Sequence, residues 1–122
     1  MNMKDERQFV GYSKYRSRLV DGHVHTELCP HGSGDRTALM IEKAIELRIE
    51  KVCLTEHAPL PKAFVAEYGG DQKAYDTASL KLNQVDSYLE LGRQLQRAYG
   101  THIDISLGFE VDYIPGFEAD IQ

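Results

Sequence analysis

Three runs of the chain carry apolar residues in the manner of β-strands, and two longer stretches between them repeat apolar residues at helical spacing. In chain order, the predicted elements are strand 18–25, helix 35–48, strand 51–57, helix 79–99 and strand 103–113. Ser33 or Asp35 can cap the first helix, and Gly100 fits the end of the second. Residues 1–17 are predicted to form an arm or an outer strand, and a further helix is predicted from Phe117 onward.

The order of these elements predicts an α/β fold with parallel strands, because parallel neighbours need a long crossover that is usually helical. In such folds, functional side chains gather at the C-terminal ends of the strands. Between residues 58 and 77, two prolines and a Gly-Gly pair predict a long loop. Loops of this length often close over binding sites, so the segment is a candidate lid.

The composition fits one ordinary globular domain of 122 residues, 42% hydrophobic and 27% charged. The 14 Lys and Arg against 19 Asp and Glu leave a net charge of −5, which argues against nucleic acid as the main partner. No apolar run approaches the roughly 18 residues of a membrane span, and the polar N-terminus does not resemble a secretory signal. We therefore expect a cytoplasmic protein with no membrane partner.

Four of the five histidines fall at the same predicted end of the sheet. His23 and His25 are two residues apart at the end of the first strand, so both imidazoles can face one side. His31 follows in a Pro/Gly loop, and His57 ends the second strand. Each of these histidines taken alone is explained equally well as a polar strand end or a surface residue. Together, the four predict a site for zinc, iron or manganese. His102 precedes the third strand at the opposite end and is interpreted as a surface residue.

Glu110 is predicted to complete this metal site. On the third strand, one face is apolar from Ile103 to Val111, and the opposite face carries Glu110 near the C-terminal end. A buried carboxylate is costly unless it is paired or metal-bound, and the alternative is a solvated edge carboxylate. Asp21 is expected on the face of His23 and His25, either as a polar strand residue or as outer support for the ligands.

The two cysteines give no competing site. Cys53 lies in an apolar run and is expected to be a small buried residue. Cys29 beside His31 could be a nucleophile with its base, but no helix N-terminus follows it to lower its pKa. The chain also lacks a P-loop and a Gly-x-Ser-x-Gly elbow.

Four motifs in order resemble those of the PHP (polymerase and histidinol phosphatase) superfamily. They are Asp-Gly-His-Val-His-Thr at 21–26, Leu-Cys-Pro-His at 28–31, Leu-Thr-Glu-His-Ala-Pro-Leu-Pro at 54–61 and Gly-Phe-Glu-Val-Asp-Tyr at 108–113. The residues of the last two motifs resemble those of the monofunctional histidinol-phosphatases of the bacterial histidine pathway. Many other members of the superfamily have Asp where this chain has Glu56. The resemblance spans residues 21–121.

The resemblance implies a distorted β/α barrel of the TIM-like type, with the site at its C-terminal mouth. It implies two or three divalent ions (Zn, Fe or Mn) and hydrolysis of L-histidinol phosphate to L-histidinol and phosphate, with water activated by the metal as the only further catalytic group. The implied ligands are His23, His25, His31, His57 and Glu110. Lys62 and Lys73, in the candidate lid, could meet the phosphate, although solvated lysines are the simpler interpretation.

The resemblance also implies that residues 18–122 form only part of a PHP domain, because a β/α barrel usually needs about 250 residues. A truncated sheet would leave strand edges without neighbours, so a homo-oligomer is one expectation. Two other functions stay open: a PHP phosphoesterase that acts on nucleotides or DNA ends, and an inactive metal-binding fragment.

Overall fold

The computed structural model describes residues 19–65 and 77–120, and it has the predicted α/β architecture. The predicted arm at 1–17 and Lys73 lie outside the described residues. The elements in chain order are β1 (Val20–Val24), α1 (Thr37–Glu46), β2 (Lys51–His57), a short helix α2 (Lys62–Phe64), a 3-10 turn (Leu82–Gln84), α3 (Val85–Tyr99), β3 (Asp104–Glu110) and a final 3-10 turn (Glu118–Asp120).

The three strands form one parallel sheet in the order β1-β2-β3. β2 and β3 pair without interruption from Lys51 beside Asp104 to His57 beside Glu110. In β1, Asp21 pairs with Val52 and Val24 pairs with Leu54, so three steps along β1 match two along β2. This β-bulge breaks the alternation of side chains in β1.

Among the residues that the structure describes, α1 and α3 pack against the sheet and share an apolar core with it. Its buried members come from α1, β2, α3, β3 and the residues just before β3 and before the first 3-10 turn: Ile41, Ala44, Val52, Leu54, Leu80, Tyr88, Leu95, Ile103 and Ile105. The burial of β2 alternates strictly, with every second residue from Val52 to Glu56 buried. The opposite face of β2 and β3 is therefore left for the polar residues.

Tyr88 and Gly92 connect α3 to the strands. The Tyr88 hydroxyl donates to the carbonyl of Gly108 at 2.6 Å and accepts from the backbone N–H of Glu56 at 3.3 Å. Gly92 is buried against β3, where a Cβ would lie 2.5 Å from Leu107 Cδ1. Close approach of α3 to β3 therefore depends on the absence of a side chain at residue 92.

The start of α1 differs from the prediction. Arg36 is the N-cap residue and makes no capping hydrogen bond, while the Ser33 hydroxyl donates to the Asp35 carboxylate at 3.0 Å and accepts no hydrogen bond from a helix N–H. The N–H of Thr37 donates to the Glu27 carboxylate at 3.2 Å, so an acceptor ten residues earlier replaces the local cap. α1 ends before Arg48, whose φ of 61° is left-handed and cannot continue a helix.

Three other local predictions were also too simple. The predicted helix from residue 79 begins as a 3-10 turn, and its α-helical part starts only at Val85. The apolar face of β3 is covered only in its first half, since Phe109 and Val111 are exposed. Cys53 is half-buried because it faces away from the core.

None of the helices in the described ranges combines the length and the apolar character that crossing a bilayer requires.

Candidate metal centre

The C-terminal ends of the three strands bring the predicted site residues together. His23 lies near the end of β1 and His25 directly follows it. His57 is the last residue of β2 and Glu110 the last residue of β3, and the register places these two side by side. The parallel arrangement thus puts side chains that are far apart in sequence at one edge of the sheet.

Glu110 lies at the centre of this group. Its Oε1 is 2.5 Å from His23 Nε2 and 3.2 Å from His25 Nε2, and its Oε2 is 3.1 Å from His57 Nδ1. Burial acts to raise the pKa of Glu110, but the hydrogen bond with His25 and the charges of His57 and His23 outweigh it and lower the pKa. The carboxylate is consequently kept ionised, in the form that binds cations.

His31 joins the group from the loop after β1. The loop turns back through a hydrogen bond from the N–H of Cys29 to the carbonyl of Thr26, at 3.0 Å, and another from Gly32 to Cys29, at 3.2 Å. The His31 ring centroid then lies 5.0 Å from that of His57 and 6.1 Å from that of His25. All five predicted ligands therefore lie together at the C-terminal edge of the sheet, which is called the rim below.

The atoms at this rim fit a divalent cation. His23, His25 and Glu110 each offer a ligand atom within 4.8 Å of the other two. Two imidazole nitrogens, one from His23 and one from His25, lie only 3.0 Å apart beside the carboxylate, an arrangement suited to sharing one cation. Imidazole nitrogen and carboxylate oxygen are the donors that zinc, iron and manganese accept in proteins.

Asp21 does not share the face of the two histidines, contrary to the expectation from strict alternation. Asp21 pairs with Val52, and Val24 pairs with Leu54; both of these partners face the helices. The β-bulge thus places Asp21 and Val24 on the helix side of the sheet, whereas His23 and His25, on either side of Val24, lie on the opposite side. Asp21 is exposed, and its role as outer support for the ligands stays a prediction.

Glu56 is the site residue that sequence reasoning missed. Its side chain is fully buried, and its Oε2 accepts hydrogen bonds from the N–H of Thr26 at 3.0 Å and from the Thr26 hydroxyl at 2.6 Å. Its Oε1 lies 3.3 Å from His25 Nδ1, at an angle outside ordinary hydrogen-bond geometry. The signal was present in the sequence, because alternation along β2 puts Glu56 on the same face as Val52 and Leu54.

Cys29 lies next to the same histidine. Its Sγ is 3.5 Å from His25 Nδ1 and 3.7 Å from His31 Nδ1. Burial, more than any other influence, raises the pKa of the Cys29 thiol. A raised pKa opposes thiolate formation and argues against Cys29 as a nucleophile.

Beside this rim, an apolar cleft of about 680 Å³ lies between the start of the candidate lid and the segment after β3. Leu60, Leu82, Phe109 and Val111 contribute to its walls, and Lys62 is also one of the residues that line it. Lys62 is exposed, so a contact with phosphate stays a prediction.

Comparison with known proteins gives consistent matches. Residues 21–122 match the family model described as PHP domain. The Histidinol-phosphatase of Bacillus subtilis (strain 168) is 39% identical over 101 residues, which are 83% of this chain and 36% of that protein. The “Probable histidinol-phosphatase” of Deinococcus radiodurans is 28% identical over 104 residues, which are 85% of this chain and 36% of the relative.

A solved structure agrees with the fold. The crystal structure of a candidate histidinol phosphatase from Listeria monocytogenes superposes with a TM-score of 0.77 at 40% identity, and the match covers 82% of this chain and 37% of that one. The α/β fold class predicted from the sequence is confirmed. The chain spans little more than a third of the length of each of these relatives.

Proposed function

Because the chain belongs to the PHP domain family, we propose that it provides part of the metal centre of a phosphomonoesterase that hydrolyses L-histidinol phosphate. The observation that carries the proposal is the position of Glu110, whose two oxygens lie within 3.2 Å of ring nitrogens from three histidines. Such a cluster at the C-terminal rim of a parallel sheet is where this class of fold holds its reactive groups.

Two or three divalent ions (Zn, Fe or Mn) are the proposed cofactors, held by the five clustered residues His23, His25, His31, His57 and Glu110. When bound, such ions would polarise the phosphoryl group and lower the pKa of the water that they coordinate. The ionised Glu110 supplies negative charge between the imidazoles, and its two oxygens would be available to the ions. The four imidazoles would supply nitrogen donors to the ions.

The exposure of the rim suits a substrate that arrives from solvent. The His23 side chain is 63% exposed, whereas those of His25 and His57 are 21% and 18% exposed. His23 therefore lies on the side open to solvent, while the other two anchor the site against the protein. A small phosphate ester can reach the ligand residues from this open side.

The proposed substrate follows from the relatives, which carry the name histidinol-phosphatase. The net charge of −5 also favours a small phosphate ester over a polynucleotide, whose binding requires many cationic contacts. A role in histidine biosynthesis, in the cytoplasm, is part of the same proposal.

The test is phosphate release from L-histidinol phosphate, measured beside a panel of nucleoside monophosphates and a DNA 3′-phosphate. We expect release from histidinol phosphate to be fastest, to stop on treatment with a chelator and to return when Mn²⁺ or Zn²⁺ is added. Turnover that persists after chelation, or a preference for nucleotides, would contradict the proposal.

A further inference from the structure

His31 reaches the rim on a loop, whereas the other four predicted ligands lie in the strands or directly at their ends. It is exposed, and its Nδ1 contacts the Sγ of Cys29 at 3.7 Å, which is a weak interaction. Within the loop, the backbone bonds that involve Cys29 and Gly32 span only a few residues each. The position of His31 therefore depends on how the ends of this loop are held.

Glu27 and Thr37 hold the two ends of the loop together by exchanging hydrogen bonds. The N–H of Glu27 donates to the hydroxyl oxygen of Thr37 at 3.0 Å, and the N–H of Thr37 donates to Oε1 of Glu27 at 3.2 Å. The exchange is like that of a capping box, but the two residues are ten positions apart. This pair, called the Glu27–Thr37 clamp below, closes residues 28–36 into a loop that contains His31.

Thr37 connects the clamp to the core. It is the first residue of α1 and has no exposed surface. A buried hydroxyl is normally hydrogen-bonded, and here the N–H of Glu27 is a partner. Because Ile41 and Ala44 pack α1 into the core that it shares with the sheet, the clamp ties the loop to the same body that carries the other ligands.

The first residue of the loop is fixed as well. The hydroxyl of Thr26 donates to the buried carboxylate of Glu56 at 2.6 Å and accepts from the N–H of Leu28 at 3.2 Å. The chain therefore leaves β1 at a defined place. The Glu27–Thr37 clamp then determines where it returns to α1, so the loop that carries His31 is held at both ends.

We propose that Glu27 and Thr37 are positioning residues, which hold the loop closed before an ion binds and so keep the imidazole of His31 beside that of His57. The inference rests on the proposed metal centre, in which His31 is a ligand. Closing a loop costs conformational entropy, and a loop that is already closed leaves less of this cost to metal binding. A pair that only capped α1 would stabilise the helix and leave the distance between the two imidazoles unchanged.

The experiment compares the 122-residue chain with Thr37→Val, Thr37→Ser and the control Ser33→Ala. Thr37→Val keeps the shape of the buried side chain but removes the oxygen that accepts from Glu27, whereas Thr37→Ser keeps that oxygen. Ser33→Ala removes a different side-chain hydrogen bond of the same loop, the one to Asp35 at 3.0 Å. Glu27→Ala, at an exposed position, removes the other bond of the clamp and takes the place of Thr37→Val if that variant does not fold.

The first measurement is made without metal. Nuclear Overhauser effects between ring protons report whether His31 lies beside His57, because their ring centroids are 5.0 Å apart. The effect between His25 and His57, whose centroids are 4.4 Å apart, is the internal reference. We expect the His31–His57 effect in the wild type and in Thr37→Ser, and its loss in Thr37→Val with the reference retained. The control Ser33→Ala should resemble the wild type.

Three results of this measurement overturn the inference. The first is the absence of the His31–His57 effect from the wild type, and the second is its full retention in Thr37→Val. The third is the loss of that effect and of the reference together, which shows a general loosening of the rim and not a displacement of one ligand.

The second measurement is calorimetric titration with Zn²⁺, in the wild type and in a His31→Ala background. Thr37→Val should weaken Zn²⁺ binding by about 2- to 10-fold in the wild type and have no effect once His31 is absent. An equal loss in both backgrounds also overturns the inference, because the clamp would then not act through His31.

A different result would count against the proposed metal centre. If the wild-type chain binds no Zn²⁺, or if His31→Ala leaves the affinity unchanged, the proposed ligand set fails. The metal-free measurement still decides whether the clamp holds His31 beside His57. The two proposals can therefore fail separately.

Discussion

Gly92 allows a quantitative test of how closely α3 approaches the sheet. In Gly92→Ala, the new Cβ would lie 2.5 and 2.7 Å from the two methyl carbons of Leu107 and 3.1 Å from its Cγ. Because the branch carbon is also too close, rotating the methyl groups alone does not relieve the contact. The whole Leu107 side chain or the helix has to move.

The magnitude follows from two opposing effects. Replacing a mid-helix glycine by alanine stabilises a helix by about 1 kcal/mol, whereas overpacking a core contact costs about 1–3 kcal/mol. Leu107 is half-buried and can move partly toward solvent, so the cost should fall in the middle of that range. We expect Gly92→Ala to lower the free energy of unfolding by about 1 kcal/mol.

The assay is urea denaturation followed by circular dichroism, carried out in the wild type and in a Leu107→Ala background. In that background the obstructing atoms are gone, so Gly92→Ala should stabilise the chain by up to about 1 kcal/mol. The sign of the effect therefore reverses between the two backgrounds, with a coupling of about 2 kcal/mol. An equal effect in both backgrounds, or stabilisation of the wild type by Gly92→Ala, would refute the close contact.

Four further predictions concern the core and the metal centre. Tyr88→Phe removes the hydroxyl that links β2 and β3 and should cost about 1–2 kcal/mol of unfolding free energy, measured in urea at pH 7; an unchanged midpoint would contradict the two hydrogen bonds. Burial chiefly raises the pKa of Tyr88, so its neutral form stabilises the fold at pH values below its ordinary pKa of about 10 and this contribution is lost as pH rises through the higher folded value. Thermal melts between pH 7 and 11 should accordingly show a smaller alkaline loss of stability in Tyr88→Phe than in the wild type, and equal losses would argue against a raised pKa. His57→Ala should weaken Mn²⁺ or Zn²⁺ binding in calorimetry, whereas the matched change His102→Ala, at an exposed position away from the rim, should not; similar losses in both would sink the proposed ligand set. Zn²⁺ at 100 times its dissociation constant should stabilise the chain by about 2.7 kcal/mol in thermal melts, reversed by EDTA, and an unchanged melting temperature would count against binding to the folded form.

The sequence was sufficient to predict the order of the elements, the parallel sheet and the meeting of the five clustered residues. These features depend on long-range rules: crossover connections make strands parallel, and parallel strands present their C-terminal ends at one edge. His57 and Glu110 could be placed together because each ends a strand with a clear apolar pattern. The contacts among the five are geometric findings, and their role as ligands stays a prediction.

Two kinds of feature were not predictable: a single extra residue in a strand, and a hydrogen bond to a residue far away in sequence. The β-bulge that separates Asp21 from the face of His23 leaves no mark in the hydrophobic pattern, since β1 is short and mostly polar. The cap of α1 comes from Glu27, which local capping rules do not consider. Glu56 could have been found, because the alternation that was applied to β3 applies equally to β2 and places a carboxylate among core residues.

The irregular pairing of β1 also bears on how insertions and deletions would affect the rim. The orientation of His23 and His25 depends on the pairing of Val24 with Leu54, and not on the pairing upstream of residue 22. Deleting Gly22 would regularise the ladder and keep both imidazoles on their present side, whereas deleting Val24 would rotate His23 to the helix side. The strand is therefore expected to tolerate a deletion at residue 22, before the two histidines, but not a deletion of Val24, which lies between them.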